Sequence, residues 1–161
     1  MSGPTSFTIR PARPEDAETI VLFNCLLAEE TEDTRLHPPT VLLGVKQFLA
    51  DPSKGRYLVA ERDGQLIGQL AHTREWSDWR NGDLWWIQSV YIREGHRGAG
   101  VFRALFEKLE SLANEAGNVV GIRLYVEKHN DKAQSAYGRL GLIKTEYEVM
   151  QKVWSPAERH I

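Results

Sequence analysis

A mixed α/β domain with a parallel crossover is the fold class that the sequence predicts, and three observations carry it. Residues 56–92 hold three strand-like apolar runs punctuated by Asp63-Gly64 and Asn81-Gly82, both strong turn signals. The third run feeds through a glycine-rich loop into a long amphipathic stretch and then into another strand-like run. Strands joined through a helix in this way lie parallel. The length of 161 residues, with 42% apolar and 26% charged residues, suits one domain, residues 1–161, with its own core.

The elements follow in chain order. Phe7, Thr8, Ile9 and Arg10 read as a short strand closed by Pro11. Pro14-Glu15-Asp16 opens a helix, with proline in the first turn and acids where the helix dipole favours them. Ile20, Phe23, Leu26 and Leu27 recur through it at helical spacing. An acidic stretch at 29–33 follows. Pro38-Pro39 then opens a second helix with Val41, Leu42, Val45, Phe48 and Leu49 on its apolar face. Strand-like runs follow at 57–60, 65–70 and 84–92. The last is nearly all apolar or aromatic, as in a central strand covered on both faces. Residues 98–116 predict a helix with Val101, Leu105, Leu109 and Leu112 on one face, ended by Gly117. A strand at 121–126, a helix at 131–140 capped by Gly141, and a last strand or hairpin at 144–154 complete the reading.

Composition removes several functions. Twenty Lys and Arg against 22 Asp and Glu leave a formal net charge of -2, so no global basic field attracts nucleic acid. The single cysteine, Cys25, cannot form an intramolecular disulfide, which fits a reducing cytoplasm. Residues 1–10 contain no apolar run of signal-peptide length, and no window approaches a membrane span. His37, His72, His96, His129 and His160 show no metal-ligand spacing, so no metal is expected.

Chemistry concentrates in Val90-Tyr91-Ile92-Arg93-Glu94-Gly95-His96-Arg97-Gly98-Ala99-Gly100-Val101-Phe102-Arg103. A buried strand runs into a glycine-rich loop that opens a long helix. First-turn amides have no intrahelical acceptor, and the dipole adds roughly half a positive charge. Glycines let a phosphate approach the backbone, and Arg97 adds a cation, so the segment reads as a pyrophosphate cradle. It is not a P-loop, because Gly-Lys-Ser/Thr is missing at the helix entry. A Rossmann fingerprint has Gly98 and Gly100 but finds Arg103 at its third position. Glu127 stands where a ribose-binding acid would sit, but most of the sheet already lies upstream.

The run Arg97-Gly98-Ala99-Gly100-Val101 resembles the coenzyme A pyrophosphate loop of GNAT-superfamily N-acetyltransferases. Downstream, Leu124-Tyr125-Val126-Glu127-Lys128-His129-Asn130, then Ala133, Tyr137, Leu140 and Gly141, is similar to that family's strand, Asn, helix and Tyr segment. Asn130 and Tyr137 are spaced as in its polyamine and thialysine branch. Phe102 departs from the Gly or Ala usual at the loop's end. Gln88 and Ser89 replace the acids usual on the central strand.

The resemblance implies a mostly antiparallel mixed sheet of six to seven strands, a splayed central parallel pair and about four helices. It implies acetyl-CoA as co-substrate, a small-molecule amine as acceptor and a homodimer. Val90, Tyr91 and Ile92 would meet the pantetheine arm and thioester. Arg97, Gly98, Ala99, Gly100, Val101, Phe102 and Arg103, with Asn130 and Ala133, would bind the rest of the cofactor. Tyr137 would protonate the leaving thiolate. Glu29, Glu30, Trp79 and Gln88 are the acceptor-side candidates. The base stays open among Glu29, Glu30, Glu75, Asp83 and water. Two alternatives remain: a CoA-binding regulatory module without transfer activity, and acylation of a protein N-terminus or lysine.

Overall fold

The computed structural model describes residues 6–154, so residues 1–5 and 155–161, including His160, lie outside the described residues. The backbone divides after Tyr125 into two compact units.

The first unit is a five-stranded sheet in the order β1-β2-β3-β4-β5, with helices on both faces. Its strands are β1 (Thr8–Pro11), β2 (Gly55–Arg62), β3 (Gln65–Ser77), β4 (Gly82–Ile92) and β5 (Val119–Leu124). The first four pair antiparallel, and β4 pairs parallel with β5. The helices are α1 (Ala17–Glu32), entered through a 3-10 turn at Pro14–Asp16, α2 (Pro38–Ala50) and α3 (Val101–Ala116). The tight turns form where Asp63-Gly64 and Asn81-Gly82 require them. Asp63, Gly64 and Asn81 all take the left-handed backbone.

The pleat sorts the sheet's side chains between two layers. Tyr57, Val59 and Ala71, with Tyr91, face α1 and α2, where Ile20, Val21, Phe23 and Val45 close the core. Asn24 of α1 reaches down to the fully buried Gln69, accepting from its Nε2 at 2.8 Å, and donates to the Tyr57 hydroxyl at 3.0 Å. On the other face α3 packs across all five strands with Val101, Leu105, Phe106 and Leu109 buried. Gly68 allows its close approach, since a Cβ there would stand 2.9 Å from Ile92 and 3.2 Å from Val101.

The second unit carries α4 (Asp131–Arg139). Asn130 caps it by accepting from the Ala133 amide at 3.1 Å, and Gly141 leaves it at φ +91°. A cap of this kind stabilises a helix by about 1 kcal/mol.

Two expectations are corrected. The sheet has five strands among the described residues, not six to seven, because 144–154 forms no strand. Alternation in Ile143, Thr145, Tyr147 and Val149 supplies a strand pattern, but a strand also needs a partner for its backbone groups, and this stretch has no ladder partner. Second, the long helix begins at Val101 rather than Gly98. Gly98 and Gly100 stand at φ +76° and +82°, outside the right-handed helical region.

Candidate active site

β4 is the element around which the site is built. Its pairing with β3 runs from Ser77–Gly82 to Gly68–Ile92, with one irregularity: Ala71 faces Ser89 while His72 faces Ile87. Gln88 is therefore an extra residue, a β-bulge. Pairing with β5 stops at Ile87–Leu124, although β4 continues to Ile92. Beyond Ile87 that edge of β4 has no β5 ladder. Val90, Tyr91 and Ile92 lie on that stretch of β4.

The strand then enters the loop. Gly95, Gly98 and Gly100 all have positive φ, and a Cβ built on any of them would meet nothing within 4 Å. Gly100 is the N-cap of α3, and no side chain caps it. The first turn's amides therefore end in an open notch, where backbone donors and the helix dipole favour an anion. The Phe102 ring does not fill it; it lies toward Phe106, with ring centroids 6.2 Å apart. Ala99 is exposed, Val101 is buried in the core, and Arg103 pairs along the helix with Glu107 at 3.6 Å.

Arg97 is held in place. Its Nε donates to the Ile92 carbonyl at 2.9 Å, and its outer nitrogen donates to Glu30 at 2.7 Å. The guanidinium lies 5.5 Å from the centroid of the Tyr91 ring. The Tyr91 hydroxyl donates to the same Glu30 at 3.4 Å, and burial followed by that carboxylate pushes the phenol up. Glu30 thus joins the end of α1 to the glycine loop. Its partner Arg97 lies 67 residues away along the chain. Glu29 is exposed beside it.

Past the cover of α1 and α2, the same sheet face continues as a polar and aromatic surface. Gln88 Nε2 donates to Thr73 Oγ1 at 2.7 Å. Trp86 Nε1 and an Arg123 nitrogen both donate to Glu75 Oε2, at 2.9 and 3.2 Å. Arg123 is the register partner of Trp86 across the parallel ladder, and Tyr125 stacks on Trp86 at 4.6 Å between ring centroids. Sequence reasoning named Glu75 and Gln88 but missed Thr73, Arg123 and Tyr125. Alternation along β5 was the available signal. Trp79 stands apart at the tip of the β3–β4 turn, 87% exposed. Six residues of β3 separate that turn from the bulge, about 20 Å. Asp83 is contacted by the Asn118 amide at 3.4 Å.

In the second unit, Asn130 and Ala133 are joined by the capping bond, and Tyr137 is half-buried on α4. Burial lifts its phenol above the ordinary value. No group of three His, Cys, Asp or Glu able to hold a metal occurs among the described residues.

Such a notch, with backbone donors at a helix start beside an unpaired stretch of strand, suits an anion such as a diphosphate. The sequence pattern of the Acetyltransferase (GNAT) family matches residues 21–142, and the chain belongs to that family of N-acetyltransferases. A possible acetyltransferase from Clostridium difficile 630 superposes with a TM-score of 0.86 at 40% identity, over 92% of this chain and 98% of that one. An aminoglycoside N-acetyltransferase, AAC(6')-Iy, solved in complex with CoA, superposes at 0.79 with 14% identity, over 95% and 98% of the two chains. A ribosomal-protein-alanine N-acetyltransferase from Brucella melitensis biovar Abortus 2308 superposes at 0.72 with 16% identity, over 92% and 100%. The last two share the fold alone. No curated protein matches the sequence. Enzymes of this family use acetyl-CoA, and no helix among the described residues is long and apolar enough to cross a membrane.

Proposed function

We propose that this chain transfers the acetyl group of acetyl-CoA to the primary amine of a small molecule, an amino acid or a polyamine-like amine, by direct attack in a ternary complex. The observation that carries the reading is the open notch at Gly98 and Gly100, flanked by the anchored Arg97. The residues present fit a diphosphate: left-handed glycines, no side-chain cap and a fixed cation. Bound acetyl-CoA supplies an activated acyl carbon. The stretch Val90, Tyr91 and Ile92 offers the open β4 edge to its arm, and the Val90 amide, which points away from β3, polarises the thioester carbonyl. Tyr137 donates the proton to the leaving thiolate, and its raised pKa keeps it protonated at neutral pH. The amine's own proton leaves to water or to an acceptor-side carboxylate. Glu30 and Glu75 are already engaged by Arg97 and Arg123, which supports water. No metal is required. The whole chain acts as one acetyltransferase domain, as a homodimer in the cytoplasm.

Binding is tested by calorimetry and thermal shift with acetyl-CoA, and chemistry by following free thiol across an amine panel. A ligand at a hundred times its Kd stabilises by about 2.7 kcal/mol, so a binder raises Tm visibly. No shift at millimolar acetyl-CoA refutes the reading. A CoA-binding regulatory module is the second reading, supported by Gln88, an amide bonded to Thr73 where a carboxylate base would stand. Binding without turnover selects it.

A further inference from the structure

We propose that the surface formed by Trp86, Tyr125, Glu75 and Arg123 is the acceptor subsite, and that it takes a zwitterion: an α-amino acid with a flat or apolar side chain. The inference rests on the transferase reading and narrows its acceptor.

The four side chains hold one another in a single arrangement. Trp86 is fixed by its Nε1 bond to Glu75, by Arg123 at 5.9 Å from its ring centroid and by Tyr125 on the ring at 4.6 Å. None of this fills the core. Tyr125 is 56% exposed, and the side chains of Glu75 and Arg123 retain 48% and 26% of their exposure. Both donors to Glu75 fall on Oε2, leaving Oε1 without a donor among the described residues. Arg123 uses one terminal nitrogen on Glu75, leaving its other nitrogens without an acceptor among the described residues. An ion pair with one acceptor and one donor edge still open is a fixed dipole. Its complement is a ligand carrying ammonium and carboxylate close together, and guanidinium is the side chain best shaped for a carboxylate.

Charge decides against a polycation. The four-residue surface is neutral, since Arg123 balances Glu75. A polyamine would gain no net attraction and would meet a guanidinium. Flat apolar groups are favoured instead, because the two rings offer stacking area at low entropic cost. Position agrees. Trp86–Arg123 is the rung before the parallel ladder ends, and Gln88, two residues or about 7 Å on, marks where the β4 edge opens.

The experiment uses the full chain with saturating acetyl-CoA and compares L-phenylalanine, L-phenylalaninamide and spermidine by thiol release. The expected result is a kcat/KM for L-phenylalanine at least tenfold above the other two. Arg123→Gln should raise the KM for L-phenylalanine at least tenfold, change that for the amide less than twofold and leave acetyl-CoA affinity intact. Equal or better turnover of the amide or spermidine, or an unchanged KM in the variant, overturns the proposal. Should the variant not fold, the wild-type comparison decides alone. Should no amine turn over, quenching of tryptophan fluorescence by L-phenylalanine with CoA present decides. Quenching that Arg123→Gln abolishes upholds the subsite while the transferase reading fails. Absence of quenching overturns the subsite.

Discussion

His72 gives the sharpest quantitative test of the fold. It lies in β3 at 1% exposure, stacked on Trp85 at 4.3 Å, and neither ring nitrogen has a hydrogen-bond partner among the described residues. Burial lowers its pKa from 6.5 to about 4, so the folded protein holds it neutral. The unfolded chain binds this proton more readily than the folded one. Its cost therefore starts as pH falls below about 6.5 and is complete below about 4. At about 1.4 kcal/mol for each pH unit between the two values, the full cost is about 3 kcal/mol. His72→Phe keeps a flat ring against Trp85 and removes the titration. Urea unfolding of both proteins from pH 7.5 to 4.5 should show wild type losing about 2 kcal/mol or more relative to the variant, with other titrating groups cancelling. A gap that moves by less than about 1 kcal/mol over that range refutes a buried neutral histidine.

Three further outcomes follow from the site. Gly100→Ala places a methyl in a left-handed position at a cost of about 1 kcal/mol, a Tm drop of about 2–4 °C. Because that methyl enters the open notch, calorimetry should show the acetyl-CoA Kd rising at least about tenfold. Tyr137→Phe should lower kcat about 100-fold and leave acetyl-CoA affinity nearly unchanged in steady-state and binding measurements. Glu30→Gln removes the counter-charge of Arg97. Stability should change by less than about 1 kcal/mol, as for a half-exposed pair, while acetyl-CoA binds a few-fold tighter, an effect that salt erases.

Local features of the fold were legible because each has a local cause. Asp63-Gly64 and Asn81-Gly82 turn where left-handed residues permit it, and α2 buries the face that its spacing marks. The glycine loop was legible for the same reason. The bulge at Gln88 was not, because Ile87-Gln88-Ser89 differs in composition from no ordinary strand; it exists only as a mismatch with β3. The partner of Glu30 was not legible, because an acidic run carries no mark of it and Arg97 reaches it only once α1 is docked. Arg123 was overlooked because its meaning depends on the rung it shares with Trp86. The tail at 144–154 shows the converse: period-two alternation describes side chains and is silent on who accepts the backbone's hydrogen bonds.

The single surplus residue at Gln88 acts as a phase change along β4. On its downstream side the odd-numbered Ser89 and Tyr91 turn toward the α1 layer; on its upstream side the even-numbered Trp86 takes that face and Trp85 turns away to meet His72. Excising Gln88 would leave Ser89 opposite Ala71 and Ile87 opposite His72 in a regular ladder, so both halves would keep their present faces and only the local kink would go. The surplus residue therefore sets the local bend and twist of β4, while the inward and outward faces of both halves are fixed by their pairing with β3.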